Sequence, residues 1–137
     1  MCGTFLNPLT ITATDINFGA YSAGTVAAAT ASGTLKLKCT LALVLLPNFV
    51  VSISAGTSGS FATRQMAQGA DRLNYNLYTD GAYSAVWGDG SGGSVTQSYS
   101  SGLLLNDQTF TAFGRLPASQ YVRAGPYSDS LTVTVTY

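Results

Sequence analysis

Leu131-Thr-Val-Thr-Val-Thr-Tyr137 alternates apolar and polar residues without a break, and similar short blocks recur along the chain. A period of two sends successive side chains to opposite faces of a strand; an amphipathic helix repeats every 3.6 residues. The pattern predicts strands at Leu9 to Asn17, Thr34 to Thr40, Phe49 to Ala55 and Leu73 to Thr79. Val95 to Tyr99, Gln108 to Phe113 and Leu131 to Tyr137 make seven. Leu9, Ile11 and Ala13 share one face, as do Leu35 and Leu37, with Lys36 and Lys38 opposite. Phe49, Val51 and Ile53 form a third apolar row. Gly56 to Gly59 and Gly88 to Ser94 read as turns, and Phe61 to Gly69 as a connection. Only Val26 to Thr30, around three alanines, leaves room for a helical turn. Short strands at this spacing indicate an all-β, antiparallel sandwich. With 137 residues and no linker, the expectation is one domain over 1–137.

Charge is scarce. Lys, Arg and Asp together make up 9% of the chain, and Glu and His are absent; a soluble domain usually carries roughly 25%. With a net charge of zero, the chain has no basic footprint for nucleic acid or acidic lipid. A neutral, hydroxyl-rich surface does little to oppose self-association, which suits life inside an assembly. The longest apolar stretch, Leu41 to Leu46, is far too short to span a bilayer.

Acid–base chemistry is poorly supplied. Without histidine there is no His-dependent triad and little basis for a metal cage, so the expectation is no enzyme, no metal and no cofactor. Asp89, in Gly88-Asp-Gly-Ser91, has no second carboxylate at the calcium-loop spacing and reads as a turn residue. Arg115 reads as a sheet-end cap or as the partner of an aspartate such as Asp129. Cys2 and Cys39 are either a free pair or a disulfide; an even count in a chain of exported character favours the bridge. Closing that loop would contribute about 3–4 kcal/mol in the chain-entropy picture.

Two segments do not look like ordinary connections. Leu41-Ala-Leu-Val-Leu-Leu-Pro-Asn48 and Ser101-Gly-Leu-Leu-Leu-Asn106 are continuously apolar where a loop is normally polar. They are either strands covered on both sides or exposed apolar loop tips, and exposed apolar surface marks interaction sites.

Taken in order, the blocks resemble the spore coat U domain family, which includes subunits of archaic, Csu-type chaperone–usher pili. They are Leu73-Asn-Tyr-Asn-Leu-Tyr-Thr-Asp80, Trp87-Gly-Asp-Gly90, Phe113-Gly-Arg-Leu-Pro117, Gly125-Pro-Tyr-Ser-Asp129 and the final alternating strand. The resemblance runs from Cys2 to Tyr137. It implies an immunoglobulin-like sandwich lacking one strand and completed by donor-strand complementation, an edge addition. Leu131, Val133 and Val135 would border the donor-strand groove. Cys2 and Cys39 would join the first two strands, as is common in the family. The implied partners are a periplasmic chaperone, an outer-membrane usher, neighbouring subunits and an abiotic or host surface. The implied location is an extracellular pilus, reached through the periplasm.

Tip adhesins of such pili bear apolar finger-like loops, which makes Leu43, Val44, Leu45, Leu46, Leu103, Leu104 and Leu105 the candidate adhesive residues. Shaft pilins carry a donor segment ahead of the first cysteine, whereas only Met1 precedes Cys2 here. The expectation is therefore a tip or adhesive domain serving attachment and biofilm formation. The alternatives are a shaft pilin, a structural spore coat protein, and a carbohydrate-binding module stacking sugars on Trp87, Tyr83 and Tyr99.

Overall fold

The computed structural model describes residues 9–22, 24, 27–39, 49–99 and 107–136, with only the backbone described for Cys39, Tyr99 and Asp107. The strands are β1 (Leu9–Ala13), β2 (Ala29–Cys39), β3 (Phe49–Ile53), β4 (Arg64–Gln68), β5 (Asp71–Tyr78), β6 (Gln97–Tyr99), β7 (Asp107–Leu116) and β8 (Val133–Thr136). A 3-10 turn at Gly56–Ser58 is the one helical piece among the described residues, none of which forms a helix long enough to cross a membrane. Two antiparallel sheets form, ordered β1-β2-β7-β5-β4 and β6-β3-β8.

The fold is an all-β sandwich, and the period-two rows close its core. Leu35 and Leu37 of β2, Phe110, Ala112 and Leu116 of β7, and Leu73, Tyr75 and Leu77 of β5 line one inner face. They belong to one core with Phe49, Val51 and Ile53 of β3. Burying each such side chain is worth about 1.5–3 kcal/mol. Trp87 is fully buried, donates its indole N–H to Val51 O at 3.0 Å and stands edge-on to Phe110.

Three expectations need correction. β2 starts at Ala29, so Ala29 and Thr30 are extended and not helical, paired opposite Leu116 and Arg115. A ten-residue-pair ladder outweighs the mild helix preference of alanine. The stretch 61–69 is not just a connection, because it contains β4, paired with β5. β1 ends at Ala13 rather than Asn17. The apolar row slips phase there, from Leu9, Ile11 and Ala13 to Ile16 and Phe18.

Polar groups tie the sheets together. Arg64, wholly buried, donates through Nε to Ser54 O at 3.0 Å and through Nη1 to Asn76 Oδ1 at 2.8 Å. Its Nη2 reaches Ser54 O and Trp87 O, both at 2.7 Å, and Ile53 O at 3.2 Å. Burial pulls its pKa below the usual arginine value, against the opposing influence of Tyr75 and Asp129. The guanidinium nonetheless stays charged. Gln120 lets its side-chain amide stand in for a strand: Oε1 accepts from Asn74 N–H and Nε2 donates to Asn74 O.

Candidate functional site

One side of the sandwich is open. β8 is the outer strand of the smaller sheet and β1 an outer strand of the larger. Directly opposed residues of an antiparallel pair point to the same face. Val133 and Val135 oppose Ile53 and Val51, both buried, so all four face inward. Yet Val133 and Val135 are only half-buried. Across the opening, Ile11 and Ala13 oppose the buried Leu37 and Leu35, yet Ile11 is 44% exposed and Ala13 is exposed too. Inward-facing apolar residues on both walls are thus only partly covered.

Between these walls lies a groove of about 480 Å³, walled by residues 13–18 on one side and Ser128, Asp129, Leu131 and Val133 on the other. Its floor includes Leu35, Ile53, Leu77 and Ala112. Ser54 N–H donates to Thr132 O at 2.9 Å, so alternation turns the backbone groups of Val133 and Val135 away from β3, along the outer edge. Among the described residues no strand pairs with that edge. A second cavity of about 280 Å³ continues toward Tyr21, Leu73 and Leu116, and both cavities share Ile16, Asn17, Phe18, Met66 and Tyr127.

The rim carries one polar cluster. Tyr75 donates its hydroxyl to Asp129 Oδ2 at 2.6 Å, and Thr57 donates N–H and Oγ1–H to Asp129 Oδ1 at 3.1 and 2.8 Å. Burial, with help from that bond, pushes the Tyr75 hydroxyl far above its ordinary value of 10.0. The neutral phenol is therefore favoured by folding. Its stabilisation is whole below the unfolded tyrosine pKa and is lost as pH rises above it. Tyr75→Phe should accordingly flatten the fall in stability between about pH 9 and pH 11, read by urea unfolding at each pH.

The other sequence candidates fall as follows. Leu131 and Val133 line the groove, with Val135 on the same inner face. Leu43, Val44, Leu45, Leu46, Leu103, Leu104, Leu105 and Cys2 lie outside the described residues, as does the side chain of Cys39. Asp89 is a turn residue whose Oδ1 accepts from Ser91 N–H and Oγ at 2.8 and 2.5 Å, bonds that hold its pKa below the usual range. Among the described residues no three metal-ligating side chains cluster. Arg115 does not meet Asp129; its guanidinium lies over the Tyr83 ring, 5.5 Å from the centroid. Trp87 cannot be a sugar platform, because the interior encloses it completely. Tyr83 packs edge-on to Tyr78, and the side chain of Tyr99 lies outside the described residues. Sequence reasoning missed Ile16 and Phe18 as groove residues, although the phase slip after Ala13 was a usable signal.

Residues 4–134 match the Spore Coat Protein U domain family. Protein U of Myxococcus xanthus is 30% identical over 135 residues, covering 89% of this chain and 71% of that relative. The fold is similar to a chain in the crystal structure of the CsuC–CsuE chaperone–tip adhesion subunit pre-assembly complex, from archaic chaperone–usher Csu pili of Acinetobacter baumannii. The TM-score is 0.65 at 21% identity, over 98% of this chain and 40% of that one.

Proposed function

The chain belongs to the spore coat protein U domain family, a structural and non-enzymatic one, and from that premise we propose that it is an extracellular subunit of a chaperone–usher pilus. The observation that carries the reading is the open groove lined by Ala13 and Val133, with Ile11 and the half-buried Val135 on the same inner faces, beside an outer edge of β8 that no strand among the described residues pairs. An extended segment laid along β8 satisfies backbone groups and apolar side chains together. During export the occupant is a periplasmic chaperone strand, and in the filament the donor segment of a neighbouring subunit. The outer-membrane usher mediates the exchange.

Within that reading the chain is the adhesive or tip domain. We assign attachment to abiotic or host surfaces, and with it biofilm formation, to Leu43 to Leu46 and Leu103 to Leu105, and propose a Cys2–Cys39 disulfide as the tie of the N-terminal strand. A shaft pilin is the alternative position. Leu45→Asp with Leu104→Asp should leave folding unchanged and abolish attachment to polystyrene. Unfolding of that double variant would make these leucines core.

A second reading, a structural coat protein, draws support from the 30% identity to Protein U. In it the sandwich packs laterally and needs no usher. Periplasmic co-expression with a chaperone of the Csu type separates the two. A stable one-to-one complex, with the lone chain aggregating or strand-swapping, supports the pilus. A heat-stable monomer indifferent to the chaperone overturns it.

A further inference from the structure

The groove is partly filled by the chain itself. We infer that residues 15–20 form a displaceable strap, whose Ile16 and Phe18 hold space that an incoming strand takes over. This rests on the reading of the groove as a strand acceptor.

Thr14 is still tied to β2, with its N–H donating to Thr34 O at 2.9 Å and its Oγ1 accepting from Thr34 N–H at 2.8 Å. The next backbone tie is at Tyr21, which exchanges two bonds with Gly125 at 2.9 and 3.0 Å. Between these anchors, among the described residues, the one backbone hydrogen bond is local, from Gly19 N–H to Asn17 Oδ1 at 2.8 Å. Side chains must therefore hold the span.

Ile16 and Phe18 lie over the inner faces of β2 and β7, where Gly33 and Gly114 leave room. A Cβ on Gly33 would stand 2.6 Å from Ile16 Cγ1, and one on Gly114 would stand 2.7 Å from Phe18 Cζ. Neither glycine has a positive φ, so what each supplies is space, not backbone freedom. Phe18 meets Tyr75 edge-on, with ring centroids 6.2 Å apart. The strap separates the two cavities, and Ile16, Asn17 and Phe18 line both. Lifting it would join them into one trough reaching from Val133 to Leu116. A span with few backbone ties belongs to the low-stability end of a fold, from which moving parts are drawn.

A labelled synthetic peptide copying Ser130–Tyr137, an alternating strand, serves as the probe. Ile16→Ala with Phe18→Ala should tighten its capture about tenfold, because the strap-open state no longer has to be populated against the two side chains. Gly33→Ala, which crowds Ile16 out, should act in the same direction and carries the test if the double variant does not fold. In the unsubstituted chain, chymotrypsin should cut after Phe18 faster with peptide bound than without. If Ile16 and Phe18 are a fixed wall, both signs reverse: capture weakens, and bound peptide protects Phe18. Either reversal, or unchanged capture, overturns the strap. Val133→Asp separates the two ideas. Loss of capture in that variant leaves the groove reading standing whatever the strap variants do. Capture equal to that of the unsubstituted chain, or no capture by the unsubstituted chain, overturns both.

Discussion

Arg64→Leu lowers the free energy of unfolding by roughly 3–5 kcal/mol, because it orphans several buried acceptors at once. The guanidinium serves the carbonyls of Ile53, Ser54 and Trp87 and the amide oxygen of Asn76. Leucine roughly fills the volume but takes the guanidinium donor from the three carbonyls, while Asn76 Oδ1 keeps the Leu77 N–H at 3.0 Å; each orphaned carbonyl carries a desolvation cost of about 1–3 kcal/mol. Relaxation and water entry keep the total below their sum. Arg64→Lys recovers only part of the loss, since an ammonium cannot reproduce the planar fork. Urea unfolding checks this: the midpoint should fall while the slope stays the same. A change under about 1 kcal/mol would mean that the hub is incidental to stability. The effect reaches the groove as well, because Ile53, whose carbonyl Arg64 holds, forms part of its floor.

Val133→Asp abolishes strand capture, whereas Thr134→Asp leaves it unaltered. The two residues are neighbours in β8 on opposite faces, with Val133 half-buried toward Ile53 and Thr134 exposed. A carboxylate at position 133 can reach solvent while the groove is empty, so the lone chain still folds. An occupant would have to bury it unpaired, which costs several kcal/mol, so capture falls by at least about a hundredfold. Co-purification with the chaperone measures both variants. Equal yields would show that Val133 does not face the occupant.

Much of the sandwich was legible because its strands obey a local rule. β2, β3 and β5 show period-two rows whose inward members, such as Leu35, Val51 and Leu77, are deeply buried, and β8 shows the same period with its inward valines half-buried. β4 escaped because its first inward residue is Arg64. A cation reads as surface unless the acceptors that receive it are known, and here they come from Ile53, Ser54 and Trp87, distant in sequence. Trp87 misled for a related reason, since an indole N–H finds its partner through tertiary packing, here Val51 O. The groove was legible on one wall only. Val133 and Val135 are an obvious alternating pair, but the facing wall depends on Ile16 and Phe18 crossing over Gly33 and Gly114, a long-range fit. The deviation at Ala29 and Thr30 is likewise a ladder overriding a weak propensity.

The direction of the β8 edge also has a mechanical consequence. A segment paired along it and pulled lengthwise loads every hydrogen bond at once, in shear. The same segment peeled from one end breaks them singly, like a zipper. With β8 itself held against β3 from Val50 to Ile53, lengthwise tension passes into the middle of the smaller sheet, not into a turn. A link of this geometry resists steady traction yet can be replaced strand for strand, one residue at a time.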